Sequence, residues 1–383
     1  MQKKVLHIVT ISFVIKHFFG EQFKYLKNKT GNEYYLACSS SDELQEWKEE
    51  LNYIPIPTEI TREISPIKDI KAIYRLVKVM RREEFDVVVA HTPKGGIVGM
   101  VAAYIAGVEN RIYFRHGIAY ETSVGLKKFI LKNIERISGL LAHKVVNVSY
   151  GVKNFSIKDR LNAKDKNIIL GKGTCNGVDA LKRFNPNSYT EGEIENLRKK
   201  YEIKKDDFVI GYVGRLVHDK GIDDIIDAWK EIETEKKYQN LKLLLVGPFE
   251  EKDSVRKDVR EYIYDSKTII YTDYVRDAAP FFRLMNVFIL PTYREGFPTV
   301  SLEASSMALP IVITRATGCE EAIIDGKTGV FILNEKESIK KAIEFYRNNP
   351  DICIEHGIEG RKFILENFEQ TIVWDIINNK LKY

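Results

Sequence analysis

The chain has 383 residues, of which 44% are hydrophobic, and its 59 Lys and Arg against 54 Asp and Glu give a formal net charge of +5. This length exceeds one ordinary core and predicts two domains of roughly 150 to 200 residues, and the composition excludes a largely disordered or repetitive chain. The positive charge is too mild for a nucleic-acid-binding signature, and no apolar run reaches the roughly 18 residues of a membrane span.

The first strand is predicted near the N-terminus, at Val5 to Thr10. The stretch from Val5 to Ile15 superficially resembles a signal peptide, but it contains polar residues and is followed by Lys16 instead of a small-residue cleavage site. Cysteine usage indicates a reducing compartment, because no two cysteines have the short spacing of a metal knuckle or a disulfide framework. We therefore expect a cytoplasmic protein. The four cysteines are Cys38, Cys175, Cys319 and Cys353.

Short apolar runs of strand length alternate with helical stretches along both halves of the chain. Continuous apolar runs are typical of parallel strands that are covered on both faces, so the sequence predicts two doubly wound α/β domains of Rossmann type. The first-half strands are predicted at 5–10, 34–39, 87–91, 111–115 and 144–149, and the second-half strands at 208–213, 241–246, 268–272, 287–290, 310–314 and 329–332.

A passage rich in Gly, Asn and Pro at 171–187 predicts the hinge between the two domains. We place an N-terminal domain at 1–188, a C-terminal domain at 189–365, and a last helix at 366–383 that crosses back to the N-terminal domain. Because ligands of doubly wound sheets lie beyond the carboxyl ends of the strands, we expect the active site in the crevice between the domains.

Several first-domain residues follow predicted strands and are candidates for function. His91 precedes Thr-Pro-Lys94-Gly-Gly and is interpreted as a buried strand cap, whereas Lys94 stands on a Gly-rich turn, where a cation suits a phosphate. His116 lies between a predicted strand and Gly117, and position alone favours a structural role. Arg115 either contacts phosphate or pairs in the core, and the sequence does not separate these alternatives.

A basic amphipathic helix is predicted from Gly125 to Leu141. Its charged residues are four bases and the single acid Glu135, a pattern that suits an anionic membrane surface. The bases are Lys127, Lys128, Lys132 and Arg136. The alternative is an ordinary domain helix whose apolar face packs on the sheet, and we expect this packing for its second half.

The second-domain pattern begins after the strand at 208–213, where Gly214, Arg215, Lys220 and Gly221 form a βα loop. Arg215 and Lys220 would emerge at the carboxyl end of that strand and place two positive charges near a diphosphate. Taken alone, the pattern is equally compatible with surface basic residues.

The most informative segment is Glu295-Gly-Phe-Pro-Thr-Val-Ser-Leu-Glu303. Pro298 suits the first turn of a helix, whose free N–H groups at Gly296, Phe297, Thr299 and Val300 would form a diphosphate site at the positive end of the helix dipole. Glu295 would accept hydrogen bonds from sugar hydroxyls, and Glu303 would reach a ribose.

Together, these motifs resemble the GT-B glycosyltransferases of family 4, which transfer sugars from nucleotide donors with retention of configuration. The residues that carry the resemblance are Gly214-Arg215, Lys220-Gly221, the Glu295 to Glu303 motif, His116-Gly117 and Asn176-Gly-Val-Asp179. The likeness runs through nearly the whole chain. His91-Thr-Pro-Lys94 is similar to the subset that builds bacterial capsule, O-antigen and lipid-linked oligosaccharides.

The resemblance implies specific roles. It assigns the donor diphosphate to Arg215 and Lys220, the donor sugar to Glu295 and the ribose to Glu303. His116 then stabilises the charged transition state by hydrogen bonding. The implied catalytic residues are His116, Glu295, Arg215 and Lys220; the donor contacts are Gly214, Arg215, Lys220, Val275, Glu295, Gly296, Phe297, Pro298, Thr299, Val300 and Glu303; the acceptor contacts are Lys94 and Tyr120.

The chain departs from many relatives after the first strand. Where they carry a Gly-Gly turn, residues 11–19 are bulky, and only Gly20 follows. This leaves a donor role for the loop in doubt; an alternative is that Phe13, Phe18 and Phe19 face an acceptor lipid or sugar. No Asp-x-Asp motif occurs, so we expect transfer that needs no metal and no cofactor.

The resulting hypothesis is retaining transfer of a hexose or N-acetylhexosamine from a UDP-sugar to a polyprenyl-diphosphate-linked saccharide at the cytoplasmic membrane surface, with no nucleic-acid partner. Two alternatives remain: an enzyme similar to the UDP-N-acetylglucosamine 2-epimerases, which lack the paired glutamates with Arg215 and Lys220, and a non-catalytic nucleotide-sugar-binding protein.

Overall fold

The computed structural model describes residues 2–61, 63 and 65–382. The chain separates into two compact units, Met1–Gly177 with Gln370–Tyr383, and Val178–Glu369. The sequence placed the start of the second domain at 189 and the returning segment at 366, whereas the division in the structure lies at Gly177/Val178 and at Glu369/Gln370.

Unit 1 is built on a parallel sheet whose strand order is β3-β2-β1-β4-β5-β6-β7. This order reverses direction between β1 and β4, which is the topological switch point of a doubly wound sheet. The strands are β1 (Lys4–Ile8), β2 (Glu33–Cys38), β3 (Ile54–Pro57), β4 (Val87–His91), β5 (Asn110–Arg115), β6 (Lys144–Asn147) and β7 (Asn167–Ile168).

Helices cover both faces of this sheet. The returning helix α15 belongs to unit 1, because Val373, Trp374, Ile377 and Leu381 pack into the same apolar cluster as β1 and β2. The helices of unit 1 are α1 (Ile15–Phe18), α2 (Gln22–Thr30), α3 (Asp42–Glu46), α4 (Lys48–Leu51), α5 (Pro66–Glu83), α6 (Pro93–Ala106), α7 (Gly125–Leu141), α8 (Tyr150–Lys158) and α15 (Gln370–Leu381).

Helix α6 packs unusually close to the sheet. A Cβ on Gly96 would overlap the Tyr113 ring, and one on Gly99 would come within 2.9 Å of Ala90 Cβ. The small residues of this helix therefore let its backbone approach β4 and β5, and its N-terminus lies beside the end of β4 at Thr92 and Pro93. The left-handed φ of +65° at Thr92 makes the sharp turn between strand and helix.

Unit 2 contains a second parallel sheet, with strand order β10-β9-β8-β11-β12-β13. Its core is a single apolar cluster that includes all of these strands. The strands are β8 (Phe208–Val213), β9 (Leu241–Val246), β10 (Ile269–Tyr271), β11 (Val287–Leu290), β12 (Ile311–Thr314) and β13 (Gly329–Ile332).

The helices of unit 2 start where the sequence provides capping groups and prolines. Thr190 and Glu193 form a reciprocal capping box at α9, and Pro350 occupies the first turn of α14. The helices are α9 (Glu191–Lys200), α10 (Ile222–Glu235), α11 (Lys257–Asp265), α12 (Thr299–Ser306), α13 (Lys336–Asn348) and α14 (Pro350–Asn367).

Each strand predicted from an apolar run is present, and the prediction of two Rossmann-like α/β domains is confirmed. The sequence analysis missed the two edge strands of unit 1. Strand β3 has the sequence Ile-Pro-Ile-Pro, and prolines cannot donate to a sheet ladder, so they are tolerated at an edge. Strand β7 has only two residues and carries no periodic signal.

Candidate active site

Two loops of unit 2 meet at the carboxyl ends of β8 and β11. Tyr293 N–H donates to the carbonyl oxygen of Asp219 at 3.0 Å, and Arg294 pairs with the Asp219 carboxylate at 3.0 Å. Gly221 lies so close to the second loop that a Cβ there would overlap the Pro291 carbonyl group. Contact between the loops thus fixes Lys220 on the first loop next to Glu295 on the second.

Lys220 and Glu295 form an ion pair. Lys220 Nζ lies 2.5 Å from Glu295 Oε1 and 3.4 Å from the carbonyl oxygen of Arg294, and both charged side chains are largely shielded, with 16% and 17% exposed. The Glu295 N–H donates to the carbonyl oxygen of Thr317, so the loop after β12 also supports this turn. The structure therefore brings together the lysine and the first glutamate of the motif.

Arg215 lies on the same loop as Lys220 and is more exposed. Its guanidinium pairs with Glu250 at 2.6 Å, and 54% of its side chain is exposed. The Tyr212 hydroxyl donates to the Arg215 carbonyl oxygen at 2.8 Å, and Gly214 adopts φ +150° close to that hydroxyl. The backbone is thus fixed, while the guanidinium rests in a surface ion pair that a ligand anion can replace at little cost.

The start of α12 differs in detail from the prediction. Pro298 is the residue before the helix instead of part of its first turn, and Thr299 N–H donates to the Phe297 carbonyl oxygen at 2.9 Å. The expectation of a free Thr299 N–H is therefore wrong, because a tight turn uses that donor. Within the described chain, the N–H groups of Gly296, Phe297 and Val300 have no acceptor, and they remain available to an anion.

Glu303 lies on α12, little more than a turn from its start. Burial raises the pKa of its carboxyl group to about 7, Arg183 partly opposes this shift, and Asp277 adds to it. Arg183 is itself engaged with Asp277 at 2.9 Å. Val275, the remaining predicted donor contact, follows β10 and packs partly buried against the core of unit 2.

In unit 1, His116 follows β5 and is held by two neighbours. Its Nε2 lies 3.0 Å from Nδ1 of His91, and its ring stacks on Phe18 with centroids 4.1 Å apart and an interplanar angle of 12°. Burial lowers the pKa of His116 to about 3, and the charge of His17 acts in the same direction. His116 is therefore a neutral imidazole at physiological pH.

The structure does not bring both predicted acceptor contacts to the surface. Lys94 stands in the first turn of α6 and pairs with Asp69 of α5 at 2.6 Å, with 11% of its side chain exposed. Tyr120 is fully buried, and its hydroxyl donates to Asp159 at 2.7 Å. A buried ring with an engaged hydroxyl has no surface for a ligand, so Tyr120 is a core residue of unit 1.

The structure resolves the two alternatives for Arg115. Arg115 and Glu135 are both fully buried and pair at 2.8 Å, and Tyr113 donates to both oxygens of the same carboxylate at 3.0 Å. Arg115 also donates to Ser156 and Asn162. It is thus a core residue of unit 1 with its donors satisfied, and it does not take part in phosphate contact.

Helix α7 buries one charged residue, Glu135, and exposes several large apolar residues. Its buried residues are Glu135, Ser138 and Gly139. The prediction that the apolar face of its second half packs on the sheet holds only in part: Leu141 packs partly buried against the core of unit 1, whereas Ile137 and Leu140 are 44% and 70% exposed. Large apolar side chains are exposed along α7 and immediately before it: Val124, Leu126, Phe129, Ile130, Ile137 and Leu140.

Sequence comparison identifies the family. A family model described as glycosyl transferases group 1 matches residues 193–363, and one described as glycosyl transferase 4-like matches residues 6–149. The capsular polysaccharide biosynthesis glycosyltransferase CapM of Staphylococcus aureus is 31% identical over 374 residues, which cover 97% of this chain and 95% of CapM. The chain belongs to the family 4 glycosyltransferases. This membership replaces the two alternatives, an epimerase and a non-catalytic binding protein.

The GT-B fold of this glycosyltransferase is confirmed by solved structures. HepE of Anabaena, crystallised with UDP and glucose, superposes with a TM-score of 0.81 at 17% identity and covers 100% of both chains. A second curated relative, from Escherichia coli, is 27% identical over 311 residues, which are 80% of this chain and 78% of the relative. Its name describes an α-1,3-galactosyltransferase that uses UDP-Gal and α-D-GlcNAc-diphosphoundecaprenol.

The described part of the glycosyltransferase contains neither a cluster of potential metal ligands nor a candidate membrane-spanning helix. Across the described residues, no three His, Cys, Asp or Glu side chains gather as a metal site would require. No helix in that part of the chain is long and apolar enough to cross a bilayer.

Three contacts around the predicted site of the glycosyltransferase were not predicted. His91, interpreted as a buried strand cap, is buried at the end of β4 and also contacts His116 directly; His7 lies behind His91; and Asp69 holds Lys94. Each contact joins residues more than twenty positions apart. The contact between the two histidines could have been predicted from their positions, since His91 and His116 both lie at the carboxyl ends of neighbouring strands.

Proposed function

We propose that this glycosyltransferase moves a hexose or N-acetylhexosamine from a UDP-sugar to a polyprenyl-diphosphate-linked saccharide, with retention of anomeric configuration. The observation that carries the proposal is the arrangement in unit 2, where Lys220 is held against Glu295 beside three free N–H groups at the start of α12. A cation, a carboxylate and unused backbone donors at one place suit a sugar diphosphate.

The diphosphate is proposed to bind to Lys220, Arg215 and the helix start. As the bond from the sugar to the diphosphate breaks, negative charge grows on the leaving group, and preorganised cations stabilise that charge. The ion pair of Arg215 with Glu250 is half exposed, so a diphosphate can replace the carboxylate without a large desolvation cost. On this basis we propose that no metal is needed.

Glu295 and Glu303 are proposed to bind the two sugars of the donor, the transferred sugar and the ribose. Glu295 accepts hydrogen bonds from the transferred sugar, and the ion pair with Lys220 holds its carboxylate in place. Glu303 accepts from the ribose hydroxyls. In unit 1, His116 is proposed to donate a hydrogen bond that stabilises the transition state, and Lys94 to meet a phosphate of the acceptor. Lys94 exchanges its Asp69 partner for that phosphate.

A lipid-linked acceptor implies that the enzyme works at a membrane surface. The Escherichia coli relative is named for a diphosphoundecaprenol acceptor, which supports this class of acceptor for the present chain. Lys127 and Lys128 are exposed next to the exposed apolar residues of α7. This combination of charged and apolar side chains suits insertion into the surface of an anionic membrane. We propose peripheral attachment on the cytoplasmic leaflet through this helix.

Acceptor-dependent release of UDP tests the proposal. The purified enzyme is incubated with each of several UDP-sugars, with and without a short-chain polyprenyl-diphosphate saccharide, and free UDP is measured. We expect rapid release only when donor and acceptor are both present. Equal release from GDP- or ADP-sugars, or release that ignores the lipid-linked saccharide, would contradict the proposed donor or acceptor.

A further inference from the structure

Three histidines form a continuous chain in the interior of unit 1. His7 lies in β1, His91 ends β4 and His116 follows β5, and these three strands are neighbours in the sheet. His7 Nδ1 lies 3.1 Å from His91 Nε2, and His91 Nδ1 lies 3.0 Å from His116 Nε2. Both nitrogens of His91 are thus engaged, one on each side.

Aromatic rings surround this chain. The His7 ring lies 4.8 Å from Phe23 and 5.2 Å from Phe19, and the His91 ring stacks 4.8 Å from Phe114. His7 and His91 are only 1% and 2% exposed. This dry environment lowers the pKa of His7 to about 3 and the pKa of His91 well below its usual value, so both imidazoles are neutral near neutral pH.

Neutral histidines in series have coupled tautomers. Each neutral ring carries one N–H, and each contact between two rings needs one proton. If His91 donates from Nδ1 to His116, its Nε2 must accept from His7, and His116 must carry its own proton on Nδ1. The opposite direction places every proton on the opposite nitrogen. The contacts therefore allow two ordered states for the chain, and a mixed state leaves two lone pairs or two protons facing each other.

We propose that His91, itself oriented by His7, is a positioning residue that holds His116 as the Nδ1–H tautomer, so that Nδ1 donates a hydrogen bond to an oxygen of the bound substrate. This inference rests on the proposed function, in which His116 acts as a donor to a developing negative charge. Free histidine in water prefers the Nε2–H tautomer, so a neighbour is needed to impose the other one. The second ring nitrogen of a functional histidine commonly has its tautomer set in this way.

The stack on Phe18 completes the arrangement. Phe18 covers one face of the His116 ring at 4.1 Å, and His91 contacts one of its nitrogens, so these two neighbours fix the orientation of the imidazole ring. The bulky segment after β1, which the sequence analysis could not assign, therefore supports His116. Fixed orientation and fixed tautomer together give a neutral donor that needs no reorganisation during the reaction.

Nitrogen-15 NMR of histidine-labelled enzyme tests the tautomer directly and needs no turnover. Signals of His116 are assigned by their loss in His116→Asn. We expect a protonated Nδ1 and an unprotonated Nε2 on His116 in the wild type, and a shift toward the Nε2–H form in His91→Phe. Finding His116 as the Nε2–H tautomer in the wild-type enzyme, or no change in His91→Phe, would overturn the inference.

Kinetics separate a positioning role from a packing role. We expect His91→Phe to lower kcat by about 10-fold or more, with KM for the UDP-sugar changed less than about 2-fold, since a mispresented tautomer affects the transition state more than the ground state. His91→Gln, which keeps a donor and an acceptor, should recover part of kcat. The exposed His143→Gln serves as the control and should behave as wild type.

A second variant covers the case in which His91→Phe fails to fold. His7→Phe keeps the ring volume and leaves His91 and His116 in place, yet it removes the partner that sets the tautomer of His91. We expect His116 to show both tautomers in this variant, and a wild-type pattern there would contradict the chain. If the enzyme transferred no sugar at all, the proposed function would fail while the tautomer measurement still judged the histidine chain.

Discussion

Lys220 and Glu295 are held against each other by two loops that contact one another through Asp219. The same pair lies beside unused N–H groups at the start of α12. A cation that is only 16% exposed and fixed before the ligand arrives costs little to reorganise when a diphosphate leaves. At the scale of single residues, the proposed donor site is therefore preorganised.

Replacing Arg215 or Lys220 by Ala should lower turnover by about 10²-fold or more, because each cation is proposed to stabilise the charge that grows on the leaving group. Steady-state rates at saturating UDP-sugar measure the effect. Lys257→Ala in α11, whose side chain is 91% exposed, is the matched control and should keep the wild-type rate. Wild-type rates in both single mutants would place the donor site elsewhere.

The raised pKa of Glu303 leads to a prediction of how donor binding changes with pH. Because burial raises its pKa to about 7, the carboxylate that is proposed to accept from the ribose is lost as the pH falls through neutrality. KM for the UDP-sugar should therefore rise as the pH is lowered from about 8 to about 6, and Glu303→Gln should show a high KM with little dependence on pH. A pH profile unchanged by the substitution would remove Glu303 from the donor site.

The same shift has a consequence for stability. A carboxyl group whose pKa is raised in the folded state favours folding below its unfolded pKa, and this contribution disappears as the pH rises through about 7. At about pH 8, Glu303→Gln should therefore stabilise unit 2 by about 1 kcal/mol while weakening donor binding. Thermal denaturation at about pH 8 and about pH 5 measures this; a variant less stable than wild type at the higher pH contradicts it.

Among the elements, α7 shows where sequence reasoning reached its limit. Its bounds were predicted as Gly125 to Leu141 and are those of the structure. Its orientation was not predicted. Amphipathicity shows which residues share a face of the helix, but not that Glu135 is buried because it pairs with Arg115, twenty positions away. The strands were predictable for the opposite reason, since a parallel strand covered on both faces is apolar throughout and needs no orientation.

The exposed face of α7 should bind anionic bilayers. Lys132 pairs with Asp159 at 3.0 Å, so its replacement would disturb the fold, and the informative change is Lys127→Glu with Lys128→Glu. Each lysine near the surface contributes about 1 kcal/mol, so the double variant should lose sedimentation with anionic liposomes. Lys158→Glu with Lys164→Glu makes the same change of charge at other exposed sites and should still sediment. Equal sedimentation of both variants would contradict attachment through α7.

The buried ion pair between α7 and β5 should matter for stability alone. Glu135→Ala leaves the fully buried Arg115 without its carboxylate partner, and removing one partner of such a pair typically costs about 3 to 5 kcal/mol. Chemical denaturation should show this loss, while UDP binding by unit 2 stays unchanged in the folded fraction. A stability close to wild type would mean that Ser156, Asn162 and water compensate for the missing carboxylate.

For the whole molecule, the sequence was sufficient to predict two Rossmann-like units, since the apolar runs of parallel strands are local patterns. The histidine chain was not predictable, because it depends on the registration of three strands distant in sequence. Likewise, the hydrogen bond of Thr299 N–H was not predictable, because the tight turn that forms it depends on the φ and ψ of Pro298.

The enzyme as a whole should act without a metal ion. In the proposed mechanism, Lys220, Arg215 and the start of α12 supply the positive potential that a divalent cation would otherwise provide. Activity in excess EDTA should equal activity in its absence, and added Mg²⁺ or Mn²⁺ should not raise it. A loss in EDTA that Mg²⁺ or Mn²⁺ restores would refute metal-free transfer.

The central claim is retaining transfer from a UDP-sugar to a lipid-diphosphate-linked saccharide, and the structure of the product tests it most directly. The product formed from an α-linked UDP-sugar and a short-chain polyprenyl-diphosphate saccharide is purified, and its new glycosidic bond is examined by NMR. We expect one added sugar in α linkage, formed by wild type and strongly reduced in Lys220→Ala. A β linkage, or a sugar added only to water, would contradict the account.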